Sequence, residues 1–181
     1  MIAPSDETTA RTAPDPPDPS NCSDPWAALS LRTATAHALD VATLYRILRL
    51  RVDVFVVEQA CPYPELDGRD LEPSTQHCWI ADHDGAVLAY LRVLRDPGGG
   101  SRIGRVVTAG HARGRGLAAR LLRHGLRLAD RPVRISAQAH LAQWYTCFGF
   151  QVCGPPFPED GIPHVPMSLA LPPAATRAGS A

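Results

Sequence analysis

The stretch "HARGRGLAARLL", His111 to Leu122, holds a contradiction. Glycine costs roughly 1 kcal/mol against alanine inside a helix, yet Gly114 and Gly116 stand at the head of a plainly helical pattern. Leu117, Ala118, Leu121, Leu122, Gly125, Leu126 and Ala129 fall on one apolar face, and Arg120, Arg123 and Arg127 fall outside it. The glycines therefore sit at the helix start, where the first N–H groups have no partner within the helix. Bare amides at the positive end of a helix dipole attract anions, phosphate above all, and Arg113 and Arg115 add charge. The bland alternative is a flexible helix start with solvated arginines.

A chain of 181 residues fits one domain with a substantial core. Net charge is zero but unevenly spread. Residues 1–25 carry Asp6, Glu7, Asp15, Asp18 and Asp24 against Arg11 alone, so the remainder is basic by the same margin. That excess suits a polyanionic small ligand better than a nucleic-acid groove, which calls for a denser basic run and more aromatics. Residues 1–25 are rich in Pro, Asp, Ser and Thr with almost no large apolar residue, and are expected to be disordered. The folded domain is expected over 26–171, with a second loose tail over 172–181. Five cysteines, none in a close Cys-x-x-Cys pair, point to free thiols in a reducing cytoplasm. Neither a secretory signal nor an apolar run long enough to cross a bilayer is visible, so no membrane association is expected.

The pattern predicts a strand in "AALSLRTATA", then a helix over "DVATLYRILRLRVDVF" with Asp40 near its N-cap and an apolar stripe of Val41, Leu44, Leu48 and Val52. A long loop, "VVEQACPYPELDGRDLEPSTQ", follows; structureless loops of that length tend to be functional. In "HCWIADHDGAVLAYLRVLR" two apolar runs flank Asp84-Gly85, predicting a hairpin with a tight primed turn. Strand "RIGRVVTA", the arginine-glycine helix and strand "PVRISA" come next. A short helix, "QAHLAQWYTCFGF", ends at Gly149, and strands "FQVCG" and "VPMSLAL" flank the loop "PPFPEDGIPH". The order β-α-(loop)-β-β-β-α-β-α-β-β describes a mixed α/β (α+β) domain around one central sheet.

Three kinds of glycine-rich loop compete for Gly114 and Gly116. A P-loop needs a lysine at the terminal phosphates, and the chain has no lysine. A dinucleotide fingerprint is satisfied by Gly114, Gly116 and Ala119, but "RPVRISAQ" lacks the carboxylate that would hold ribose, and too little chain follows for two mononucleotide halves. The third reading fits. "RGRGLA", Arg113 to Ala118, matches R-x-x-G-x-A and resembles the pyrophosphate loop of the Gcn5-related N-acetyltransferase (GNAT) superfamily. "RVVTAGHARGRGLAARLL" resembles that family's strand, turn and helix, and "LAQWYTCFGF" its C-terminal Tyr-x-x-x-Gly-Phe segment. "LRLRVDVFVVEQACPYPELDGRDL" and "EDGIPHVPM" resemble the ElaA-type branch, so the likeness covers most of residues 44–167 in order.

The resemblance implies a mixed sheet of about six to seven strands flanked by about four helices, and acetyl transfer from acetyl-CoA to an amine of a small molecule or peptide, without a metal. Arg113, Gly114, Arg115, Gly116, Leu117 and Ala118 would cradle the pyrophosphate with backbone amides, and Val106, Val107 and Thr108 would add the pantetheine arm as a strand. Thr108 departs from the family's usual aliphatic residue, and Gln138 stands where many members have asparagine, leaving its cofactor contact open. Tyr145 matches the tyrosine that assists the leaving thiolate. Glu58 and His140 are the candidates for taking the amine's proton, and Asp67 and His164 for binding the substrate. Each also has a simple capping or turn role open to it. A non-catalytic acyl-CoA-binding domain remains the alternative, acylhomoserine-lactone synthesis a remote one, and a monomer or homodimer is expected.

Overall fold

The computed structural model describes residues 28–170. The expected tails at 1–25 and 172–181, both edges of the expected domain, and Cys22 lie outside the described residues. The elements in chain order are β1 (Ser30–Ala34), α1 (Val41–Arg51), β2 (Gln76–Ala81), β3 (Val87–Arg95), β4 (Ser101–Thr108), α2 (Leu117–Leu128), β5 (Val133–Gln138), α3 (Ala142–Thr146), β6 (Gln151–Val152), β7 (Phe157–Glu159) and β8 (Ile162–Leu169). All eight strands form one sheet in the order β1-β2-β3-β4-β5-β8-β6, with β7 also pairing β8. The expected architecture is thus present, with eight strands among the described residues against about six to seven, and three α-helices against about four.

Asp40 caps α1 as expected, its Oδ1 accepting from Thr43 N at 2.8 Å. The predicted apolar stripe is wrong. Val41 is 84% exposed, while the buried residues are Ile47, Leu50, Arg51 and Val54. The true inner face is turned by roughly a third of a turn from the predicted one, because it contains an arginine that apolar periodicity assigns to solvent. Nor does a loop begin at Val56: a π-helical stretch, Val52–Glu58, carries the helix on and puts Glu58 in its last turn.

Helix α2 behaves as its pattern demands, burying Leu117, Leu121, Leu122 and Gly125. Gly125 lets it lie close on the sheet, since a Cβ there would meet Leu91 Cδ1 at 3.1 Å. Leu91 and its neighbours Tyr90 and Arg92 point to opposite faces of β3, and Arg51 of α1 lies over the Tyr90 ring, so α1 and α2 cover opposite faces of the sheet.

Asp84-Gly85 does not make a two-residue primed turn. Asp82 to Ala86 form a five-residue loop whose amides 84 and 86 both donate to Asp82 Oδ1, at 3.1 and 2.8 Å. The primed turn lies instead at Asp160-Gly161, with φ +49° and +81°, joining β7 to β8 within the segment expected to be loop.

Candidate active site

Strands β4 and β5 pair in parallel only at Ser101–Val133 and Arg102–Arg134, then part. The gap leaves one edge of β4 without a strand partner and opens a cleft of about 590 Å³ between the two strands. Val106, Val107 and Thr108 line one wall, Gln138, His140 and Tyr145 the other, and Glu58, Asp67 and His164 complete the lining. Ten expected site residues, Arg113 among them, therefore share one cavity although they lie far apart in sequence.

Arg113, at one border of the cleft, leads into the turn before α2; Gly114 to Ala118 do not line the cleft, and Gly116 borders a separate hollow with Leu31, Arg123 and His124. Gly114 and Gly116 both take φ +74°, a conformation side chains other than glycine's disfavour. Gly116 is the N-cap of α2 and offers no side chain to the helix's free amides. Among the described residues the N–H groups of Gly114, Arg115 and Gly116 make no hydrogen bond. A Cβ on Gly114 would meet nothing within 4 Å, so the space it faces is open. Free amides beside a helix start suit an anion. Leu117 is buried, so only its amide is available there, and Arg115 is exposed beside the loop. Arg113 Nη2 reaches both oxygens of Glu58 at 2.8 Å, and its Nε donates to Thr108 O at 3.3 Å.

On the other wall Tyr145 is 6% exposed and held edge-on to Trp144 and Phe150. Burial pushes its phenol up to about 12. The hydroxyl has no hydrogen bond to the described residues. Gln138 Nε2 donates to Gln59 Oε1 at 3.1 Å, tying β5 to the end of the π-helical stretch. His164 Nδ1 lies 2.8 Å from the Ile162 carbonyl, which only accepts, so Nδ1 carries a proton.

Asp67 is not a free carboxylate awaiting a cation. It is bound through both oxygens to Arg92 and reached by Arg105 at 3.5 Å. Partial burial raises its carboxyl, but the Arg92 hydrogen bonds and charge outweigh this and bring it down to about 2. It belongs to a cluster that the sequence reading missed. Arg51, Arg92 and Arg105 interleave with Glu65, Asp67 and Asp70 between α1 and the sheet, so the charges cancel. Behind it the Tyr90 hydroxyl donates to His77 Nδ1 at 2.8 Å while Nε2–H donates to the Asp70 carbonyl at 3.0 Å. Burial lowers the His77 pKa and keeps that ring neutral. The signal in the sequence was Arg92, alone in the apolar run "VLAYLRVL" of a strand buried on both faces.

The profile described as "Acetyltransferase (GNAT) domain" matches residues 49–171. The chain belongs to the GNAT acetyltransferase family. The chain is also 51% identical over 142 residues to a UPF0039 protein of Mycobacterium tuberculosis, covering 76% of this chain and 91% of that one. Among solved structures, an acyl-CoA N-acyltransferase from Pseudomonas aeruginosa superposes with a TM-score of 0.73 at 42% identity, covering 78% of this chain and 99% of that one. Escherichia coli ElaA superposes with a TM-score of 0.72 at 35% identity, covering 77% and 98%. These matches bear out the resemblance to GNAT proteins and to the ElaA branch, and they make acyl transfer the chemistry of the family to which the cleft belongs. No helix among the described residues is long and apolar enough to cross a membrane, and they hold no cluster of metal-ligating side chains.

Proposed function

We propose that the protein is an acetyl-CoA-dependent N-acetyltransferase that acetylates a primary amine of a small molecule or peptide by direct attack in a ternary complex. One observation carries this reading: β4, unpaired on one edge beyond Arg102, ends at Thr108 and leads through one tight turn, Gly110–Ala112, to a loop whose amides make no hydrogen bond among the described residues. A rod-like ligand with a diphosphate at one end and amides along its length fits both parts. The cleft volume is in the range that holds such ligands. When bound, acetyl-CoA supplies the acetyl group as an activated thioester.

This chain's residues supply the rest. Gly114 to Ala118 hold the diphosphate, with Arg113 and Arg115 adding charge, and the backbone of Val106 to Thr108 hydrogen-bonds the arm. Tyr145 donates to the departing sulfur. Its phenol, at about 12, is a weaker acid than a thiol at about 8.5, so it stabilises the thiolate by a hydrogen bond rather than by giving up its proton. A primary amine is almost fully protonated at neutral pH, with a pKa near 10, and Glu58 or His140 takes that proton. Glu58 is engaged by Arg113 on both oxygens; moving Arg113 onto the diphosphate frees it. His164 and Asp67 line the acceptor's path, Asp67 as a neutralised partner of Arg92 rather than as an electrostatic lure. The free Cys61, Cys78, Cys147 and Cys153 suit the cytoplasm.

The test is release of free thiol from acetyl-CoA across polyamines, amino acids, aminoglycosides and peptides, with calorimetry of cofactor binding alongside. Amine-dependent thiol release supports the enzyme. Tight binding with no turnover on any amine would favour a non-catalytic acyl-CoA-binding domain.

A further inference from the structure

Opposite Leu91 of β3, strand β4 places two residues, Arg105 and Val106, since Tyr90 pairs Val107 and Arg92 pairs Gly104. This is a bulge, and Arg105 within it has φ +55°. A residue bearing a side chain is strained there and stays only where its surroundings fix it. The fixing group is Glu65. Its carboxylate accepts from Arg105 Nε at 2.7 Å and its carbonyl from Arg105 Nη2 at 3.0 Å. Glu65 is itself immobilised: it is 3% exposed, and the wholly buried Arg51 of α1 donates to it through Nε and Nη2 at 2.7 and 2.9 Å. Arg51 also holds Asp70 at 2.8 Å. A rigid chain of charge thus runs from α1 through Glu65 to the one strained residue of the strand that borders the cleft.

A bulge redirects the peptide groups on either side of the extra residue, and on this edge β5 has already left β4. We propose that Glu65 is a positioning residue: by gripping Arg105 it keeps the β4 bulge left-handed, and so aims the bulge's unpaired peptide groups at the acyl end of the bound thioester. The inference rests on the cleft being the acyl-CoA site. Glu65 acts through Arg105 and does not touch the reacting atoms.

Glycine separates this role from mere bracing of α1, because it adopts positive φ without strain. Arg105→Gly and Arg105→Val both remove the grip and leave the Glu65–Arg51 pair intact. Only valine, β-branched and ill suited to φ +55°, should let the bulge relax. The expected result is a kcat at least about tenfold lower for Arg105→Val than for Arg105→Gly. Calorimetry should show that Arg105→Val has lost any preference for acetyl-CoA over CoA while its affinity for CoA stays within about twofold. Glu65→Gln, where it folds, should lower kcat likewise, and adding Arg105→Gly should restore most of it. Equal kcat and equal acetyl-CoA preference for the glycine and valine variants overturns the proposal, as does a doubly substituted protein no better than Glu65→Gln. Failure of the unsubstituted protein to bind acetyl-CoA would instead sink the functional reading beneath it.

Discussion

Replacing Tyr145 by phenylalanine removes one oxygen from the cleft wall and leaves the ring packed on Trp144 and Phe150. Because the hydroxyl bonds to no described residue, stability should change by less than about 0.5 kcal/mol. The catalytic loss should be larger. A hydrogen bond to a charged partner is worth about 1.5–3 kcal/mol, which is roughly 10- to 150-fold in rate. Transferring the proton outright from a phenol at about 12 to a thiolate whose acid lies near 8.5 would be uphill by about 5 kcal/mol. The unsubstituted enzyme should therefore show no loss of kcat from phenol ionisation below about pH 10. Thiol release at saturating acetyl-CoA, with the best amine of the panel, measures kcat, and calorimetry confirms that the variant still binds the cofactor. A kcat within about twofold of the original, with binding intact, would refute the role given to this hydroxyl.

Four further outcomes follow from the same geometry. Arg113→Gln should weaken CoA binding by several-fold, about 1 kcal/mol for a half-exposed charge, with a shallower salt dependence in calorimetry. Of Glu58 and His140, the one that takes the amine's proton should, when replaced by alanine, remove the lower limb of the pH–rate profile, while replacing the other leaves that limb in place. Ile47→Ala should cost about 2–5 kcal/mol in urea unfolding, whereas Val41→Ala should cost under about 0.5. Asp67, depressed to about 2 in the folded chain, stabilises it above the unfolded value near 3.9 and loses that contribution as pH falls through 2. After discounting for exposure it is worth about 1 kcal/mol, so the urea midpoints of the original and Asp67→Asn should converge between pH 4 and pH 2.

What the sequence disclosed was whatever local physics dictates. The bare start of α2 and its apolar face are written in a few adjacent residues, and both are found; α3 instead stops at Thr146, and Gly149, with φ +88°, belongs to the turn that follows it. The inner face of α1 was hidden because Arg51 lies on it, and nothing nearby reveals that Glu65 and Asp70 neutralise its charge. Strand β7 was hidden by Pro158 and Pro163, which suit a loop but also stand opposite each other in this short hairpin at the sheet's margin. Its Asp160-Gly161 turn carried the same dipeptide signal as Asp84-Gly85, where the weight was misplaced. The residues that line the cleft could be singled out one by one as candidates, but their convergence depends on β4 and β5 parting after two pairs, a tertiary event with no local signature.

The claim under all of this is that the amides of residues 114–118 hold a diphosphate. Calorimetric titration of the full chain with CoA, dephospho-CoA and pantetheine tests it most directly. CoA and dephospho-CoA should bind, and pantetheine, which lacks the diphosphate, should bind at least about a hundredfold more weakly. Pantetheine binding as tightly as CoA, or no binding of CoA at all, would contradict it.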